Sequence, residues 1–216
     1  MKGSALRRLL RDHRGASIIE FGLVTPVFVV LGFTGLEAAN MALTQLRLSQ
    51  ISSNLADTAS RIGDSSALSL KKIRESDIND AFQAVRLQAG STPLTSRGRV
   101  ILSSLERNAA DGQFIRWQRC LGKGNYSSAY TSGLGKLDKS FPGMGLSGNL
   151  IQAPPGSAVM YVEVIYRYKP MLSKVPFGEP LMKSRAAFLV RDPRDLAAAA
   201  NPTPIGSAMT CNLFTD

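Results

Sequence analysis

Arg14-Gly15-Ala16-Ser17-Ile18-Ile19-Glu20-Phe21-Gly22-Leu23-Val24-Thr25-Pro26-Val27-Phe28 sets the architecture of this chain. A short basic leader ends at Gly15, and from Ile18 to about Ala42 the sequence is almost wholly apolar. A run of about 25 residues is about 37 Å long as a helix, enough to cross a hydrocarbon layer of about 30 Å. Glu20 stands at its head. A carboxylate near mid-bilayer costs about 2.5–3.5 kcal/mol on insertion scales, and less close to an interface. Either Glu20 lies near enough to the headgroups to stay wet, or its charge has a task.

The flanking charge orients the segment. Lys2, Arg7, Arg8, Arg11 and Arg14 precede it, opposed only by Asp12. The positive-inside rule keeps that end in the cytoplasm and places everything after about residue 43 outside. The chain thus divides into a leader (1–15), a transmembrane helix (16–43) and an extracytoplasmic domain (44–216). An ordinary secretory signal is the competing reading, because Glu37-Ala38-Ala39-Asn40-Met41-Ala42 offers small residues for cleavage. Signal hydrophobic regions usually run 7–15 residues, so the longer stretch favours a span. Pro26, with Gly22, Gly32 and Gly35, interrupts it and marks a kink that membrane helices tolerate.

Beyond the apolar run, Leu43, Leu46, Ile51, Leu55, Ala59 and Ile62 recur at three- and four-residue intervals among polar residues. That pattern extends one helix from Ala16 to Ile62, stopped by Gly63-Asp64-Ser65-Ser66. A second helix is capped by Ser76 or Asp77, carries Ile78, Ala81, Phe82, Val85 and Ala89 on one face, and ends at Gly90. Residues 91–98 read as loop. Strand patterns then follow at Val100–Leu105, Phe114–Leu121, Val159–Tyr168 and Leu181–Val190, the first two as a hairpin with Ile115, Trp117 and Leu121 on one face. The stretch from Gly122 to Pro155 is Gly/Ser-rich and too long for a plain loop. It reads as a surface excursion, in part disordered. The expected fold class is α+β: a long N-terminal helix leading into a head with an antiparallel sheet of about four strands.

Composition narrows function by exclusion. Twenty-six Lys and Arg face 16 Asp and Glu in 216 residues, a formal charge of +10. Removal of the leader, with five basic groups and one acid, lowers it to +6. The remaining cations are scattered singly, without the aromatic interleaving that stacks bases, so nucleic acid is not an expected partner. His13, in the leader, is the single histidine. No Ser/His or Cys/His arrangement is therefore available outside the membrane, and no metal site can be assembled from two thiols. Gly122-Lys123-Gly124 and Gly133-Leu134-Gly135-Lys136 lack the spacing of a phosphate loop. No catalytic residue, cofactor or enzyme activity is expected. Cys120 and Cys211, the only cysteines, read as one disulfide in an oxidising compartment, with two free thiols as the alternative.

Gly15-x-x-x-x-Glu20-Phe21 behind a basic leader resembles the processing site of type IVb (Flp-type) pilins and pseudopilins. Glu20 to Phe28 is similar to the opening of the TadE-like family of tight-adherence pilus assembly proteins. The resemblance covers roughly residues 7–45. It implies cleavage between Gly15 and Ala16 by a prepilin peptidase at the bacterial inner membrane, with the head periplasmic. It also implies that Glu20, beside Phe21, pairs with the freed amino group of Ala16 on a neighbouring subunit. The implied partners are that peptidase, membrane lipid, and other pilin-like subunits and pilus assembly proteins. At 216 residues the chain is longer than the small major pilins, which points to a minor subunit or assembly factor. An uncleaved single-pass scaffold and a secreted binding protein are the alternatives.

Overall fold

The computed structural model describes residues 15–63, 70–172, 174–175, 177–192, 194–196, 199 and 206–215. The leader cations, His13, Asp64-Ser65-Ser66 and the 201–205 segment lie outside them. Two compact units result: residues up to Ala42 together with Pro170–Gly178, and Leu43–Lys169 together with Glu179–Asp216.

Helix α1 (Ala16–Arg61) runs for 46 residues, within one position of the expected end. In the second unit it buries Leu48, Ile51, Ser52, Leu55, Ala56 and Ala59. This is a three/four-spaced stripe, but it differs from the expected one: Leu43 and Leu46 are exposed. At 100° per residue they lie about 140–160° round the helix from Leu48, so the stripe that packs begins at Leu48. The end of α1 is closed by a residue from far along the chain. Arg194, itself buried, donates from Nη1 to the Ala59 carbonyl (3.3 Å) and from Nη2 to those of Ser60 (3.0 Å) and Ile62 (2.6 Å). These carbonyls are among those a helix end leaves without internal donors, and a cation suits the negative end of the dipole.

Helix α2 (Glu75–Ala89) buries Ile78, Ala81, Phe82, Val85 and Ala89, and Gly90 follows at φ 54°. Its cap is not Ser76 or Asp77. Arg74 is the N-cap, and Asp77, at the third helical position, reaches back to accept from the Arg74 amide (3.1 Å). A carboxylate there satisfies a free donor and lies on the positive end of the dipole. A single-turn helix, α3 (Leu94–Arg97), occupies what reads as loop.

Strands β1 (Gly98–Arg107), β2 (Gln113–Leu121), β5 (Val159–Arg167) and β6 (Leu181–Leu189) form a four-stranded antiparallel sheet in the order β2-β1-β5-β6. One face carries Val100, Leu102, Val162, Val164 and Tyr166, and it meets the helices. Ser52 hydrogen-bonds Ser184 at 2.8 Å, and buried Glu75 of α2 is paired with Arg119. The other face is covered by the Gly/Ser-rich excursion. There Tyr130, Phe141, Met144 and Ala153 pack on Leu105, Ile115, Val159 and Tyr161, with Tyr126 beside Ile101, Cys120 and Ile165. The stretch from Gly122 to Pro155 therefore supplies half of a second core and a small hairpin, β3 (Met144–Leu146) with β4 (Asn149–Ile151). It is not disordered surface. Its few large side chains suffice because backbone turns at glycine bring them together. Gly135 at φ 76° is one, and a Cβ there would meet the Gln113 carbonyl oxygen at 2.2 Å.

The shared face expected for Ile115, Trp117 and Leu121 is also corrected. Trp117 pairs with Ser104 while Ile115 pairs with Leu105, so Arg116 is an extra residue in β2. A one-residue bulge reverses the phase of everything before it. Trp117 and Leu121 face the helices, and Ile115 faces the excursion.

Candidate functional site

Gly15 and Ala16 open α1, and Glu20 and Phe21 follow one turn on, all in the first unit. Nothing from the rest of the described chain covers this end. Phe21 is 73 % exposed, Glu20 is exposed and makes no ion pair among the described residues, and Ile18, Val27, Phe28 and Leu31 are equally bare. An 18-residue window of α1 has a mean hydropathy of 1.9, with none of it buried, so the helix is long and apolar enough to cross a membrane. Two threonine hydroxyls within it are satisfied by the helix itself. Thr25 Oγ1 donates to the Phe21 carbonyl (2.6 Å) and Thr34 Oγ1 to that of Val30 (2.7 Å). Pro26 lies inside the helix without breaking it, removing one donor to the turn before.

One acidic residue near the end of the apolar run has a role that its sequence position did not announce. Glu37 is only 2 % exposed. Its carboxylate accepts from the amides of Met171 (3.1 and 3.2 Å) and Leu172 (3.0 Å) in the β5–β6 connection, within the first unit. The sequence signal is a second carboxylate closing the run that Glu20 opens, set in the Ala-rich stretch from Glu37 to Ala42 that resembles a cleavage region.

Cys120 and Cys211 form a disulfide. The tail beside it runs along the free edge of β2, where Cys120 N donates to Met209 O and Gly122 N to Thr215 O, both at 2.8 Å. Arg99, 1 % exposed, completes the attachment by donating to the carbonyls of Gly122, Cys211 and Leu213, with its guanidinium 4.1 Å from the Phe214 ring centroid. Burial pulls its pKa down. The glycines that superficially suggest phosphate loops are occupied within the fold. The amides of Gly122, Lys123 and Gly124 donate to Thr215, Thr95 and Gly98, and that of Gly133 to Ile115. No group of three or more His, Cys, Asp or Glu placed to hold a metal occurs among the described residues.

Elsewhere in the head, two buried ionisable groups are perturbed mainly by desolvation. The Glu106 carboxyl is raised by burial, which outweighs its hydrogen bonds from Arg116 and Ser104. The Tyr161 phenol is pushed up to about 12 by burial and then by the nearby Glu163 charge. Its hydroxyl is buried without a hydrogen-bond partner among the described residues.

Residues 15–57 match the model of a known family, TadE-like protein, the family that the sequence resemblance named. The matched segment lies almost wholly within α1 and includes Gly15, Ala16, Glu20, Phe21 and Pro26. The match suggests a pilin-like protein associated with tight-adherence pili. No curated protein and no solved structure matches the chain.

Proposed function

We propose that this chain is a minor pilin-like (pseudopilin) subunit or assembly factor of a tight-adherence type IVb pilus system. It is made as an inner-membrane protein with a cytoplasmic leader and a periplasmic head, and prepilin peptidase cleaves it between Gly15 and Ala16. The observation that carries this reading is that the family match falls on a helix with a membrane-length apolar stretch that no described part of the chain buries. Such a surface requires lipid before assembly and neighbouring helices afterwards. Within a bundle of such helices Glu20 would be an unpaired buried charge, strongly disfavoured unless a cation meets it. The new amino group of Ala16 on an adjacent subunit provides that cation and sets the stagger between subunits. The role is structural, with no chemical step performed by this chain.

Glu37 weighs against release by ordinary signal peptidase. A cut near Asn40 would remove the carboxylate that the Met171 and Leu172 amides share. The test is N-terminal sequencing of mature protein together with two variants. Mature chains are expected to begin at Ala16. Gly15→Phe is expected to block processing, while Glu20→Ala leaves processing intact and impairs assembly. Mature protein that still begins at Met1 while pili form as usual would overturn the proposal in favour of an uncleaved scaffold. A start near Asn40 would instead indicate secretion.

A further inference from the structure

The connection between β5 and β6 groups with the apolar helix rather than with the head from which it extends. Its described side chains are unlike those of a water-facing turn. Met171 is 60 % exposed, Leu172 48 %, Val175 78 % and Phe177 36 %, and Lys174 beside them is also exposed. The loop's backbone is tied to the helix where the amides of Met171 and Leu172 share the buried Glu37 carboxylate. That point has a definite level along the helix. From Glu20 to Glu37 the axis rises about 26 Å at 1.5 Å per residue, close to the thickness of a hydrocarbon layer. Glu37 therefore falls where the apolar run meets the interface, and the loop is held at that depth.

We propose that the described residues of the β5–β6 connection, Met171, Leu172, Lys174, Val175 and Phe177, form an interfacial membrane anchor. The apolar tip (Met171, Leu172, Val175 and Phe177) enters the acyl boundary of the leaflet at the C-terminal end of the span, with Lys174 at the level of the headgroups. The occupant is a lipid surface for two reasons. The tip belongs to the same compact unit as the apolar helix whose Glu37 it is bonded to, and an apolar cluster beside a lysine matches the layering of acyl chain and anionic headgroup. Glu37 is the positioning residue. As a carboxylate at the interface it would cost more if it were not already hydrogen-bonded, and those bonds hold the loop against the helix. The inference rests on α1 being a span, and the experiment separates the two.

Full-length protein is reconstituted in vesicles of zwitterionic and anionic phospholipid whose acyl chains are brominated either near the headgroup or near the terminal methyl. Three single-tryptophan forms are compared: Trp117→Phe carrying Val175→Trp, Trp117→Phe carrying Phe28→Trp, and the unaltered chain, whose buried Trp117 serves as control. The Val175→Trp fluorophore is expected to lose intensity with shallow bromines and the Phe28→Trp fluorophore with deep ones, with Trp117 unaffected. Adding Glu37→Ala is expected to abolish the loss at Val175→Trp and leave that at Phe28→Trp unchanged. Quenching of Phe28→Trp without quenching of Val175→Trp would overturn the anchor and leave the span standing. A blue-shifted but unquenched Val175→Trp would likewise overturn it and assign the loop to a protein contact. Absence of quenching at Phe28→Trp would overturn the span and the anchor with it.

Discussion

Replacing Cys120 and Cys211 together by alanine tests how the head is held closed. The bond joins residues 91 apart. On the chain-entropy account, releasing a loop of that length gives the unfolded chain about 4–5 kcal/mol of added freedom, most of a typical domain's stability. The folded state loses much less. Cys120 and Gly122 keep their amide bonds to the tail, and Arg99 still holds the carbonyls of Gly122, Cys211 and Leu213. The variant should therefore keep its fold while melting roughly 10–20 °C lower, at about 2–4 °C per kcal/mol for a domain of this size. Trp117, three residues from Cys120 and facing the helices, is a built-in fluorescence probe for urea and thermal unfolding of detergent-solubilised full chain. A loss below about 1 kcal/mol would refute the reasoning, since it would mean that the unfolded state gains little from the open loop. An unfolding transition lost altogether would also refute it, by showing that the tail's hydrogen bonds cannot hold without the bond.

Two further perturbations probe the head. Arg194→Ala removes the donor to three carbonyls at the end of α1 and should cost about 2–3 kcal/mol, read as a drop in urea midpoint, with Arg194→Lys recovering only part. Tyr161→Phe should leave stability at neutral pH unchanged or improved, since the buried hydroxyl has no partner among the described residues. The same variant should flatten the alkaline limb. With the folded pKa at about 12 against about 10 unfolded, the native state keeps its phenolic proton longer, so stability is full below about pH 10 and falls toward 12. Unfolding midpoints across that range check both statements.

The order of elements was legible along the chain because each rested on local periodicity. The length of α1 follows from the apolar run and Gly63, α2 from its apolar stripe and Gly90, and the four long strands from β-branched and aromatic alternation. What failed was what local pattern cannot carry. Leu43 and Leu46 share the composition of the packed stripe, but whether a leucine on a helix is buried depends on which face meets the sheet. The extra residue at Arg116 has no signature of its own, because a bulge is defined by the partner strand's count. The excursion from Gly122 looked structureless, since its core residues are sparse and are gathered by turns rather than by period.

The chain's own letters thus establish a membrane-length helix headed by Gly15, Glu20 and Phe21, joined to an α+β head with two cysteines. Only the folded arrangement assigns Glu37 to the amides of residues 171 and 172, Arg194 to the end of α1, and Arg99 to the tail. Each of these contacts joins positions more than a hundred residues apart. A buried charge or carbonyl is satisfied by whatever comes near in space, and nothing in the adjacent sequence names that partner.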